Sequence, residues 1–100
     1  MDNYLLVIGR TATGYSGHCP DVLGCAAVGK TIEDVRQNMK KALKFHFEGM
    51  LEDGDPIPSP GGVDSYRAAL KELDWDQYFL AHVPIDTSRL AAVDQSNVLV

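Results

Sequence analysis

TIEDVRQNMKKALKFHFEGMLEDG, residues 31–54, is the stretch on which the fold turns. Thr31 suits a helix N-cap, with Asp34 three positions on as a carboxylate variant of the capping box. Ile32, Val35, Met39, Ala42, Leu43, His46 and Met50 then recur at three- and four-residue steps and form one apolar stripe. Gly54 supplies a left-handed stop, and Pro56 forbids continuation. The spacing predicts an amphipathic helix of about 20 residues, ~30 Å long, enough to span a small sheet.

Upstream of it lie three short strand signals. Tyr4 to Ile8 is an unbroken apolar run, which suits a strand covered on both faces or lying at a sheet centre. Tyr15–Cys19 and Cys25–Val28 follow, separated by Gly-containing turns and by Pro20-Asp21, and the three read as an antiparallel meander. Downstream, residues 55–62 hold three prolines and form an extended connector. A short helix is expected over Ser65–Leu73, with Tyr66, Ala69, Leu70 and Leu73 on one side. Tyr78–Val83 reads as a fourth strand, which either ends at Pro84 or lies at an edge, because proline has no ladder donor.

The expected architecture is therefore α+β, in the order β-β-β-α-β. A small antiparallel meander gains one returning strand beside the first, and the long helix covers one sheet face. The handedness rule for crossovers predicts a right-handed connection. The opposite face then needs the second helix or another subunit. The core is expected over residues 4–88 of a single domain, with 89–100 as a tail. That tail ends in Val98, Leu99 and Val100, which can add to another chain's sheet edge, so a homodimer or higher oligomer is expected.

Composition bounds the function. One hundred residues, 45% of them hydrophobic, suffice for one core and not for two. No apolar run approaches the ~18 residues of a membrane span, and the N-terminus has no basic leader before an apolar stretch, so neither membrane insertion nor secretion is expected. Fourteen acids against nine bases argue against general nucleic-acid binding and for solubility or a basic partner. The imbalance lies in residues 55–100, which carry seven acids and three bases. Two cysteines with no leader point to free thiols in a reducing cytoplasm.

Particular words of the sequence narrow this further. Tyr15-Ser16-Gly17-His18-Cys19-Pro20-Asp21-Val22-Leu23-Gly24-Cys25 resembles the strand–loop–strand signature of HicB-type antitoxins. Gly29 to Val35 is similar to their helix entry, and Ala42 to Met50, followed by Gly54, Pro56, Ile57, Pro58 and Pro60, to their helix exit. Tyr78 to Ser88 looks like their last strand, with Pro84 atypical. The resemblance implies a partial ribonuclease-H-like fold that binds and silences a small basic HicA-type toxin, itself an RNA-cleaving domain. Many members continue into a C-terminal DNA-binding module. Twelve residues follow Ser88 here, and sequence-specific DNA binding is not expected. The other reading open at this point is a solitary oligomeric adaptor or ligand-binding module with no toxin.

The same topology invites a test for nuclease chemistry, which needs carboxylates converging on two metal ions, one of them projecting from the first strand. Tyr4 to Ile8 contains none. Glu33 and Asp34 read as partners of the helix N-terminus, and Asp86 as a turn residue. Neither catalysis nor a cofactor is expected. Cys19 and Cys25, with His18 beside them, lie too far apart in sequence for a structural zinc pair and read as small apolar residues at the strand ends, able to form a disulfide only under oxidation. His46 reads as a core histidine bonded through its ring, and His82 as a strand residue without a ligand partner. Arg36, Lys40 and Lys44 form a solvated basic stripe or an interface rim. The residues assigned to a protein partner are Asp21, Leu23, Asp74, Trp75 and Asp76. Leu23 either meets that partner or tucks against the sheet edge, and Trp75 either anchors an interface or packs on the last strand.

Overall fold

Strand β1 (Asp2–Arg10) is the centre of a four-stranded antiparallel sheet of order β3-β2-β1-β4, in a computed structural model that describes residues 2–72, 77–88 and 90. Its neighbours are β2 (Tyr15–His18) and β4 (Tyr78–Ile85), and β3 (Ala26–Gly29) lies outside β2. β1 is longer than its apolar run because β4 pairs along nearly all of it, from Asp2↔Ile85 to Gly9↔Tyr78. The unbroken run is explained by burial on both sides. Tyr4, Leu6 and Ile8 face one layer, and Leu5 and Val7 face the other.

The long helix α1 (Ile32–Glu52) forms the first layer. The Thr31 hydroxyl accepts the Asp34 N–H at 3.0 Å and fixes its start. At its end Gly54 takes φ +77°, the Asp55 N–H donates to the Met50 carbonyl at 2.8 Å and the Gly54 N–H to Leu51 at 3.2 Å, the paired bonds of a Schellman stop. The buried line is Val35, Met39, Leu43 and Phe47. His46, expected at the centre of the stripe, is only half-buried, its ring 6.2 Å from that of Phe47. A step of four from Leu43 reaches Phe47, and the larger apolar ring takes the core position.

Glycines let α1 sit low on the sheet. A Cβ on Gly29 would lie 2.6 Å from Asp34 Cβ and 2.9 Å from the Val35 nitrogen, atoms of the first helical turn that cannot move aside. One on Gly17 would press on Leu6 and on the stiff Val35 side chain, each at 2.9 Å.

Helix α2 (Val63–Glu72) covers the other sheet face, packing Ala69 on Leu5 and Val7 with Tyr66 and Leu80 beside them. The second helix thus does what the sequence left to it or to another subunit. Its packing stripe differs from the expected one, since Ser65 is buried and Leu70 is 51% exposed, while Leu73 lies outside the described residues.

Two further expectations change. β4 runs antiparallel to β1, so the rule of right-handed crossovers, which governs parallel strands, does not apply to the long connection. The core also extends beyond residue 88 and takes in Leu90, whose N–H donates to the Asp86 carbonyl at 3.3 Å. Pro84 is accommodated because β4 is an edge strand. Both edges are partly covered by α1: Asn38 donates to the Val28 carbonyl at 2.7 Å, and the Arg36 guanidinium to the His82 carbonyl at 3.2 Å.

Candidate partner-binding surface

The β2–β3 loop, residues 19–25, is the element that the sequence singled out, and the structure holds it at three places. Cys19, Val22 and Cys25 are buried in the main core, and the Val22 N–H closes a turn on the Cys19 carbonyl at 3.0 Å. Gly24, at φ +88°, turns the chain back into β3. The Asp21 carboxylate accepts the Gly61 N–H at 2.9 Å and the Ser65 hydroxyl at 2.6 Å, tying the loop to the start of α2. A Cβ on Gly61 would push the Ser65 hydroxyl out of this bond.

With Val22 inside, Leu23 points outward and is 86% exposed. It does not tuck against the sheet edge. Asp21, by contrast, spends its charge on the chain's own donors. Between the loop and α2 runs a cleft of roughly 340 Å³, bordered by Val7, His18, Pro20, Asp21, Asp64 and Ala68. Beyond it Val28 is 67% exposed on the sheet face that α2 leaves open. Asp74, Trp75 and Asp76, and Val98, Leu99 and Val100, lie outside the described residues.

The remaining candidates have structural roles. Arg36 pairs with Glu33 at 2.9 Å and holds the His82 carbonyl, so the basic stripe is left to the lysines. The Gln37 amide, and after it Arg36, hold the Glu33 carboxyl below the usual range. His82, read as a strand residue without a ligand partner, accepts the Arg36 guanidinium on its backbone carbonyl, and its exposed ring bonds the Tyr66 hydroxyl of α2. Asp86 caps the turn that follows β4, accepting the Ser88 hydroxyl at 2.7 Å. Among the described residues no three His, Cys, Asp or Glu side chains gather to hold a metal ion, and no helix is long and apolar enough to cross a membrane.

Cys19 and Cys25 are both free and buried, directly beyond the last ladder pair His18↔Ala26. Burial pushes the Cys19 thiol up to about 12 from an ordinary 9.0, Cys25 adding to the shift, and burial raises Cys25 as well. For Cys19 that means roughly a thousandfold less thiolate, the reactive form, at neutral pH. Maleimide labelling of the native protein at pH 8 is expected to run at least ~100-fold slower than in urea. Equal rates in the two conditions would show that the loop opens freely.

The β2–β3 loop is thus fixed in the core with its apolar tip, Leu23, turned outward. The family described as HicB_like antitoxin of bacterial toxin-antitoxin system matches residues 4–99. The chain belongs to this HicB-like antitoxin family. An uncharacterised 14.9 kDa protein of Haemophilus phage HP1 is 31% identical over 87 residues, which are 87% of this chain and 63% of the phage protein. The chain thus spans less than two thirds of that relative. A solved HicB3 antitoxin superposes with a TM-score of 0.71 at 31% identity, over 84% of this chain and 62% of that one. In a solved toxin–antitoxin complex of HicA3 and HicB3, a chain matches at 33% identity and a TM-score of 0.67, over 84% of this HicB-like chain and 98% of that one. The HicB antitoxin of Burkholderia pseudomallei shares the fold, with a TM-score of 0.73 at 23% identity over 88% and 66% of the two chains.

Exposed Val28 and Phe45, and the pinning pair Gly61 and Ser65, escaped the sequence reading. Val28 was detectable, since Ala26 and Val28 alternate onto the face opposite the long helix. The Asp21–Ser65 bond joins positions 44 apart, and nothing local announces it.

Proposed function

We propose that this chain neutralises a small, basic, HicA-type RNA-cleaving toxin by covering its active surface, with no chemistry of its own. The observation that carries the reading is Leu23, held outward by a loop fixed in advance. An apolar anchor that needs no ordering on binding loses little entropy and contributes nearly all of its burial to affinity. The solved HicA3–HicB3 complex supports a toxin as the partner, since a chain in it is similar to this one along 98% of its own length. The net charge of −5 supports a basic one through electrostatic steering. The two unpaired thiols support a reducing, cytoplasmic setting.

In this reading Leu23 anchors the contact and Asp21 shapes the loop, and Asp74, Trp75 and Asp76 are the further contact residues that the sequence nominates. The test is titration against the basic protein encoded beside this chain, read by binding and by relief of RNA cleavage. Leu23→Lys is expected to weaken binding at least ~10-fold. Reversing Asp74 and Asp76 to lysine is expected to slow association and flatten its salt dependence. Unchanged affinity in the first variant removes the anchor, and unchanged kinetics in the second removes the acidic patch. If no neighbouring basic protein binds, the antitoxin reading itself fails.

A further inference from the structure

The solvent face of α1 has a composition that its own fold does not use. Phe45 is 80% exposed near the middle of this face, on a helix whose core line runs through Val35, Met39, Leu43 and Phe47. One turn further on, Gly49 leaves open space, for a Cβ built there meets nothing within 4 Å. Lys41 lies one turn before Phe45 and Glu52 two turns after it, with Lys44 and Glu48 along one flank. Among the described residues none of these four charges makes an ion pair. Along the outward line the order is therefore cation, aromatic ring, notch, anion.

We propose that this face binds a second copy of the chain, α1 against α1 in antiparallel orientation about a two-fold axis. The pattern complements its own reversal, which is what an isologous contact demands. Centring the axis between Phe45 and Gly49 sets each Phe45 ring over the Gly49 notch of the other copy. The same register brings Lys41 within one residue of the level of Glu52 of the second copy, and Lys44 within two of its Glu48, offsets of about 1.5 and 3 Å that these long side chains span. In an antiparallel helix pair each flank meets the same flank of its partner, so the Lys44 and Glu48 sides face each other while Phe45 and Gly49 meet on the other side. A parallel pairing would instead set Lys41 against Lys41 and Glu52 against Glu52. A 21-residue helix offers a contact strip about 31 Å long, short of a standard interface, so association is expected in the micromolar range or weaker.

This surface is separate from the β2–β3 loop and does not depend on the toxin reading. It also differs from the oligomer expected through Val98 to Val100. The test is sedimentation of the chain at low salt, from roughly 10 µM to 1 mM, where exposed charge pairs are least screened. A concentration-dependent dimer is expected. Phe45→Asp, Lys41→Glu and Glu52→Lys are each expected to raise its dissociation constant at least ~10-fold, because the two-fold axis repeats every lost contact. The combined variant K41E/E52K is expected to restore association to within about threefold of the native chain. On one chain these two side chains lie about 16 Å apart along the helix, so such rescue has to come from pairing between copies. Leu99→Asp is expected to leave the dimer intact. A monomer at ~1 mM overturns the proposal. So does a dimer that ignores Phe45→Asp, one that the double swap fails to rescue, or one that Leu99→Asp abolishes. All of these substitutions are at exposed or terminal positions, and circular dichroism of each variant confirms that the fold is kept.

Discussion

Truncating Phe47 to alanine is expected to lower folding stability by about 3–5 kcal/mol, a large part of the ~5–15 kcal/mol available to a domain. Phe47 is fully buried, and its ring lies 5.3 Å from that of Tyr4, a fully buried residue near the start of β1. Removing it leaves a cavity at the crossing of helix and sheet, bounded by elements that cannot close inward without breaking the ladder. Phe45→Ala, two positions away, is expected to change monomer stability by less than about 0.5 kcal/mol, since that ring is 80% exposed. Urea denaturation of both variants, at a concentration where the chain is monomeric, measures the contrast. Equal losses would mean that α1 is rotated on the sheet relative to the structure described.

The second large effect is loss of stability in alkali. Burial, with Asp2 and Asp21 adding to it, pushes the Tyr4 hydroxyl up to about 12 from an ordinary 10.0. That hydroxyl donates to the Pro58 carbonyl at 2.7 Å, holding the connector against the sheet. Cys19 is raised to about 12 as well. Both groups are neutral when protonated, and in each the folded value lies above the unfolded one. The folded state thus keeps protons that the unfolded state gives up, and stability declines as pH rises from 9 towards 12. Each group contributes a slope of ~1.4 kcal/mol per pH unit between its unfolded and folded values. Between pH 8 and pH 11 the two together lower stability by about 4 kcal/mol. Urea midpoints at the two pH values test this, and equal midpoints would contradict it. Tyr4→Phe is expected to cost about 1 kcal/mol at pH 8 through the lost bond, and to flatten the decline above pH 10.

Local signals carried most of the fold. Thr31, Gly54 and the stripe between them located α1 to within a residue or two, because caps and periodicity are written in neighbouring positions. The run Tyr4 to Ile8 announced a strand covered on both faces or lying at the sheet centre, and β1 is both. What escaped depends on contacts distant in sequence. Which of His46 and Phe47 enters the core depends on the angle at which α1 crosses the sheet, and Gly17 and Gly29 set how closely it approaches. The direction of β4 is a matter of topology that strand propensity does not encode. At the candidate site the loop was legible from Pro20, Asp21 and Leu23 together. Asp21, taken for a partner's ligand, spends its carboxylate on Gly61 and Ser65, a division of labour within the loop that only the folded chain displays.

The placement of β1 between β2 and β4 has a temporal consequence. On the ribosome the central strand emerges first and its outer neighbour last, with 67 residues between Arg10 and Tyr78. At ordinary translation rates of about 5–20 residues per second, roughly 3–14 s pass during which the nascent chain has no strand for one side of β1. β1 therefore waits for its second neighbour until residues 78–85 have been made, and translation speed sets how soon the central strand is paired on both sides.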